Sequence, residues 1–408
     1  MAAMNSSKAA FIPPSKRPPI LAERRNAKMA RSAHAYMRGN TAKFYEWLET
    51  SSGKSVPEGP PVWICGDCHV GNLGPVANLE GHVDIQIRDL DQAVIGNPAH
   101  DLLRLGLSLA TAARSSDLPG VTTARMMEEM MSGYRDALGD SHHRRRSEEE
   151  VKAIARVMQL ALRRRWRHLA EERIEDVTPS IPRGEKFWEL SKTERREIKA
   201  LFENSDVRSL VTAMRKRDDD AKIKVLDAAY WIKGCSSLGR LRYAVLVGID
   251  RKHPSKGEIC FLDIKEATTA AAPRNDRAQM PRDNAQRVVE GAKQLAPNLG
   301  ERMVAARMDG CSVVIRELLP QDLKLEIDQL TSSEAVSAAG YLAGVVGEAH
   351  ARQMDRSTRL SWRKVLSSNH SKALDAPAWF WSNIVELLAM HEAAYLEHCK
   401  RFQSLLAD

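Results

Sequence analysis

Between Cys65 and Arg104 the chain reads Cys65-Gly66-Asp67-Cys68-His69-Val70-Gly71-Asn72, then Arg88-Asp89-Leu90-Asp91, then Gly96-Asn97-Pro98-Ala99-His100-Asp101-Leu102. The apolar Val62-Trp63-Ile64 leads into the first group and predicts a strand that delivers Asp67 and Asn72 on one tight loop. After a turn at Asn78-Leu79-Glu80-Gly81, the alternation His82-Val83-Asp84-Ile85-Gln86-Ile87 predicts a second strand. That strand sets Asp89 and Asp91 down beside the first loop.

Such a grouping has the ingredients of phosphoryl transfer. The reaction needs a carboxylate that accepts the proton of the attacking hydroxyl, and oxygen ligands that hold magnesium against phosphates. Asp67 is the expected base, and Asn72 and Asp89 are the expected metal ligands, with Asp91 assisting.

Further along, the texture becomes β-rich. Ala228 to Lys233, Leu241 to Ile249, Ile259 to Lys265, Met303 to Met308 and Cys311 to Leu318 predict strands, with one helix over Asp283 to Leu295. Gly234-Cys235-Ser236-Ser237-Leu238-Gly239 sits between two of these runs. Gly234, Ser236, Ser237 and Gly239 are therefore expected in a flap whose backbone approaches nucleotide phosphates. Lys265 ends an otherwise apolar strand and needs an anionic partner, for which Glu290 on the following helix is the expectation. A surface pair with the adjacent Glu266 is the plain structural alternative.

Cys65, Cys68 and His69 also match C-x-x-C-H, a haem attachment pattern, and with His82 they suggest a zinc site. Context opposes both. Met1 to Lys8 lacks the apolar region of an export signal, and Cys235, Cys260, Cys311 and Cys399 are scattered singly. Small buried thiols lining a loop are the simpler reading.

The 408 residues are enough for two or more lobes, and the unpatterned cysteines fit a reducing, cytoplasmic compartment. No run approaches the ~20 apolar residues of a membrane span. The net charge of +8 is concentrated in 142–146 and 163–168. Apolar residues at helical spacing from Glu148 to Glu175 place most of those arginines on a solvated face. Nucleic acid or an acidic partner at 144–168 is the secondary reading, because 5% aromatics leave little for base stacking.

The segments quoted first resemble the catalytic and metal-binding segments of aminoglycoside-phosphotransferase-like kinases, of the protein-kinase-like superfamily. The pattern Gly-Asp-x-His-x-x-Asn, then Asp-x-acid, then Gly-x-Pro-x-x-Asp-Leu is present in order, with Leu90 replacing the usual aromatic. From about residue 24 to 360 the chain is also similar to a bacterial family catalogued as domain of unknown function 2252. That similarity rests on Arg31 to Gly39, Cys65 to His69, Asp89 to Asp91, Gly234 to Tyr243, Ile264 to Ala267, Arg287 to Gly291 and Ala349 to Arg352.

The resemblance implies an α+β, two-lobed protein-kinase-like fold. Gly234 follows Asn72 by 162 positions (234 minus 72), so the fold would be circularly permuted, with a helical insert between the catalytic loop and the small lobe. The implied division is a disordered tail at 1–22, large-lobe segments at 23–110 and 321–408, a mainly helical segment at 111–225 and a β-rich nucleotide-binding lobe at 226–320. Within it Lys265 clamps phosphate, Glu317 and Leu318 lie near the adenine, His69 holds the catalytic loop's backbone and Asp101 braces it. Arg38, His350 and Arg352 match family patterns; Arg38 is a candidate phosphate contact, and His350 reads more naturally as a satisfied core histidine.

The implied activity is ATP- and Mg2+-dependent phosphoryl transfer to an acceptor that could be a small molecule, lipid, sugar or protein. Transfer of AMP at the same ligands, or a non-catalytic nucleotide-binding module with a basic interaction surface, are the alternatives.

Overall fold

The computed structural model describes residues 11–50, 53–139, 180–213, 217, 221–249, 258–319, 330–368 and 375–402. The basic stretch from 142 to 168 lies outside them, as do the first ten residues of the expected tail.

From Pro14 onward the tail expectation is corrected. Helix α1 (Arg17–Ala30) opens with prolines in its first turn, where a missing N–H costs nothing. Its Arg17 is buried and ion-paired with Glu194 at 2.5 Å, and Leu21 is buried in the core. Partners far along the chain, Glu194 and Glu189 O for Arg17 and the core for Leu21, thus order a segment whose composition reads as disordered.

Helices α2 (Ala33–Gly39) and α3 (Thr41–Leu48) are started by the side chains of Ser32 and Asn40, which accept from backbone N–H groups one turn on. Strand β1 (Val62–Ile64) follows, then the hairpin of β2 (Leu73–Ala77) and β3 (Val83–Ile87), which pairs Leu73 with Ile87. Strand β4 (Val94–Gly96) returns antiparallel to β1. Helix α4 (Pro98–Ser115) starts at Asn97 with Pro98 in its first turn, and α5 (Gly120–Ala137) comes next.

After residue 180 come the short strand β5 (Phe187–Trp188), α6 (Lys192–Leu201) behind a Ser191/Glu194 capping box, and α7 (Ser205–Ala213). The strands β6 (Ile223–Trp231), β7 (Arg242–Ile249) and β8 (Glu258–Glu266) precede α8 (Asn284–Leu295) and α9 (Pro297–Gly300). Then come β9 (Met303–Met308), β10 (Cys311–Glu317), α10 (Ser332–Ala351), α11 (Arg356–Leu366) and α12 (Ala378–Arg401). The architecture is α+β.

The largest sheet has strand order β5-β6-β7-β8-β10-β9, each pair antiparallel. Two differences from the sequence reading concern its edge. β6 begins at Ile223, and the segment expected to be mainly helical contributes β5 to the sheet. Alternation of the kind that reveals a strand needs several residues, and Phe187–Trp188 offers only a pair, secured by stacking on Trp231 and Tyr230.

One face of this sheet buries Val245, Val247, Leu262 and Ile264 against Leu21, Ile198, Leu201, Val207 and Leu210 from α1, α6 and α7. A separate, larger core unites α3 to α5 and α10 to α12 with the two short sheets and α8. In it α5 and α10 approach so closely that a Cβ on Gly133 would stand 2.1 Å from the Gly340 carbonyl oxygen. No helix among the described residues is long and apolar enough to cross a membrane.

Candidate functional site

The loop after β1 is shaped by its backbone. Gly66 has φ +71°, and a Cβ there would lie 2.2 Å from the Gln92 carbonyl oxygen, so only glycine lets this loop lie against the one after β3. Asp101, in the first turn of α4, accepts from the N–H groups of Cys65 at 2.7 Å and Gly66 at 2.9 Å. Behind it a buried relay runs from His350 Nε2 (3.2 Å to Asp101) through His350 Nδ1 to Tyr134 Oη (2.9 Å), to which Trp362 Nε1 donates at 3.3 Å. Asp101 is thus placed to brace the loop, and His350 has a partner on each ring nitrogen in a fully buried position.

Asp67 is buried, only 8% exposed. Arg104 Nε donates to its Oδ1 at 2.9 Å, and Arg104 Nη2 donates to Met37 O at 2.7 Å. Burial pushes the Asp67 carboxyl above its ordinary pKa, against the opposing pull of Arg104. His69 Nε2 stands 3.9 Å from Asp67 Oδ2, and its buried Nδ1 has no hydrogen-bond partner among the described residues. His69 therefore faces the carboxylate and does not hold the backbone as expected. Burial, then Arg38 and Arg104, keeps its ring well below the usual histidine pKa. Asn72 turns back to donate to Asp67 O at 3.0 Å.

The loop after β3 meets the large sheet here. Lys265 Nζ lies 3.3 Å from Asp89 Oδ1 and also pairs with Asp91. Burial disfavours the Asp89 carboxylate, but Lys265, then Arg316 and Arg242, outweigh it and hold its pKa below the ordinary value. Burial and the neighbouring Asp89 charge push Asp91 upward instead. Glu290, the expected partner of Lys265, pairs with Lys293 one turn along α8. The same helix sends Arg287 into this loop, where it donates to the carbonyls of Ala93, Asp91 and Thr268. Arg316 Nη1 likewise donates to Arg88 O at 3.0 Å.

Gly234 and Gly239 have φ of +89° and +98° and bound a compact turn in which Ser236 is exposed and Ser237 donates to Lys233 O. Lys28 of α1 reaches this turn and donates to Gly234 O at 2.8 Å. Arg38 packs on the first loop, its Cζ 2.9 Å from where a Cβ on Gly71 would stand. Glu317 and Leu318 are engaged otherwise than expected: Glu317 is buried and paired with Arg217 at 2.9 Å, and Leu318 N donates to Phe261 O. Arg352 donates to Leu295 O at 3.3 Å, a helix-end contact.

Cys65 and Cys68 are fully buried free thiols, and the Cys68 side chain, with burial, pushes Cys65 well above the ordinary thiol pKa. His82 is exposed beside Glu80. Among the described residues no group of three or more His, Cys, Asp or Glu side chains is arranged to hold a metal. Asp89 and Asp91, with the Asn72 carboxamide, offer hard oxygen donors, a set that fits magnesium only where phosphate oxygens and water complete the shell.

Arg104 is the member of this cluster that the sequence reading missed. Its signal was present: a lone cation in Leu102-Leu103-Arg104-Leu105 on a buried helix requires a buried anion. Tyr134 and Trp362, by contrast, carry no local signal.

The family model for an uncharacterized protein conserved in bacteria (DUF2252) matches residues 17–401. No curated protein and no solved structure was found to match.

Proposed function

We propose that this chain, which belongs to that uncharacterized bacterial family, is an ATP- and magnesium-dependent phosphotransferase of circularly permuted, two-lobed, protein-kinase-like fold. The observation that carries the reading is the meeting of Lys265, from the large sheet, with Asp89 and Asp91, 176 and 174 positions earlier (265 minus 89 and minus 91). A half-buried lysine held against paired carboxylates, near a third and buried carboxylate, Asp67, gathers more charge than a simple surface ion pair needs. Further support comes from the sheet. A glycine turn between β6 and β7, a lysine near the end of β8, a helix after it and β10 lying between β8 and β9 agree with the order of parts that the kinase resemblance implies for a small lobe.

In this reading Asp67 accepts the proton of the acceptor hydroxyl, and its raised pKa makes it a stronger base than an ordinary carboxylate. Arg104 fixes Oδ1 and leaves Oδ2, the oxygen nearer His69, as the proton-accepting atom. Asp101 holds the Cys65 and Gly66 amides so that Asp67 keeps its place. Lys265 neutralises phosphate charge, and Asp89, Asp91 and Asn72 would hold magnesium, which supplies charge neutralisation on the phosphates.

A metabolite library incubated with γ-labelled ATP and magnesium tests this. Label should pass to one acceptor class with the native chain and not with Asp89→Ala. No transfer, and no binding of Mg-ATP at millimolar concentration, would overturn the reading.

A further inference from the structure

Beside the glycine turn lies a cavity of about 470 Å³, lined by Lys28, Arg38, Lys186, Lys233, Phe187 and Trp231 among others. Its size is that of a small-molecule site. Among the described residues its lining carries four cationic side chains and no carboxylate. Neither Lys265 nor Asp89 is part of that lining.

Carboxylates outside the lining offset part of this charge, Asp263 acting on Lys233 and Asp67 and Asp89 on Arg38, and the surplus of cations over carboxylates in the lining still favours an anion there. Two further features point the same way. The Arg38 Nε is buried without a hydrogen-bond partner among the described residues, although Asp67 and Asp89 lie near enough to influence its charge. Phe187 and Trp231 stack with ring centroids 5.7 Å apart, and Lys233 Nζ lies 4.1 Å from the Trp231 ring centroid, so the cavity has an aromatic wall with a cation fixed on it.

We infer that this cavity binds a small polyanion, and that the polyanion is the acceptor: a metabolite already carrying a phosphate or more than one carboxylate. The position of Arg38 supports the second half. It lines the cavity and packs on Gly71 of the Asp67 loop, so an anionic group held here leaves the rest of the molecule facing the expected base. The acceptor role rests on the phosphotransferase reading; the anion site does not.

Inorganic pyrophosphate in EDTA is the probe, because without magnesium the Asp89 and Asp91 carboxylates repel it. Calorimetry at low salt should show binding to the native chain and to Asp89→Ala alike. Lys186 is exposed, so Lys186→Glu keeps the fold, and it should weaken pyrophosphate at least tenfold, as should Lys233→Glu. The Lys186→Glu chain should keep the Mg-ADP binding that Asp89→Ala loses. Absence of pyrophosphate binding, equal affinity in all variants, or competition between pyrophosphate and Mg-ADP for one site would each overturn the inference. Loss of Mg-ADP binding in the native chain with pyrophosphate binding intact would overturn the phosphotransferase reading and the acceptor role, leaving the anion site.

Discussion

Arg104 Nε donates to Asp67 Oδ1 at 2.9 Å from a position with no solvent exposure, so the carboxylate expected to act on an acceptor is also half of a buried ion pair. Removing one member of such a pair strands the other charge, at about 3–5 kcal/mol. Arg104→Met should therefore lower the unfolding free energy by about that much. Asp67→Asn with Arg104→Met should cost less than the sum of the single changes, because neither charge is then left alone. Urea denaturation of the four proteins measures the coupling; additivity within about 0.5 kcal/mol would mean that the pair does not hold in solution.

Mg-ATP should raise the melting temperature, with linkage giving about 2.7 kcal/mol at a hundredfold excess over Kd. Lys265→Met and Asp89→Ala should each remove the magnesium-dependent part. Lys265→Met leaves Asp89 and Asp91 facing each other without their cation, so its melting temperature without ligand should also fall. A Lys265→Met chain that keeps the full nucleotide shift would exclude Lys265 from the site.

Much of this arrangement is legible in the sequence because it rests on local rules. The turn at 78–81 and the alternation after it give β2 and β3 their hairpin, and Asn97 before Pro98 marks the start of α4. Asp101 lies one turn into that helix, and its brace of the Cys65 loop is what the kinase-like resemblance implies. What stays hidden is long-range pairing. Lys265 turns to Asp89 and Asp91 and not to Glu290, because α8 is anchored through the neighbouring Arg287, which points at the loop's carbonyls while Glu290 pairs along the helix. Glu317 reads as a hinge residue, yet Arg217 claims it across 100 positions. Charges inside apolar runs announce that a partner exists without saying which.

Acid stability should depend on Asp263, a fully buried carboxylate on β8. Burial disfavours its charge, but Arg242 at 2.5 Å, then Arg316, outweighs that and lowers its pKa in the folded chain. A depressed folded pKa contributes stability that is complete above the unfolded value of about 3.9 and is lost as pH falls toward the folded value. The native chain should therefore lose stability more steeply than Asp263→Asn between about pH 5 and pH 2. Parallel curves would show that Asp263 does not titrate differently on folding.

The glycine in the loop after β1 offers a purely steric test. Gly66→Ala adds a methyl group 2.2 Å from a backbone oxygen at a residue with φ +71°. The conformational part alone costs about 1–3 kcal/mol, and the collision adds to it by forcing the loops apart. Destabilisation under about 1 kcal/mol by thermal melting would mean that the two loops do not lie together.

Turnover isolates the chemical role of Asp67 from its structural one. Asp67→Asn keeps volume and shape but leaves the Arg104 charge buried beside a neutral amide, so it should destabilise the fold by several kcal/mol, and the comparison belongs well below the variant's melting temperature. Nucleotide binding should persist there, since Lys265, Asp89 and Asp91 remain. If Asp67 takes the acceptor's proton, turnover per folded molecule should fall by at least the ~10² typical of losing a general base. A merely structural residue predicts a different pattern: Arg104→Met, which keeps the Asp67 carboxylate, would then lose as much turnover as Asp67→Asn. Full activity in folded Asp67→Asn would remove Asp67 from the chemistry and leave the fold standing without its proposed base.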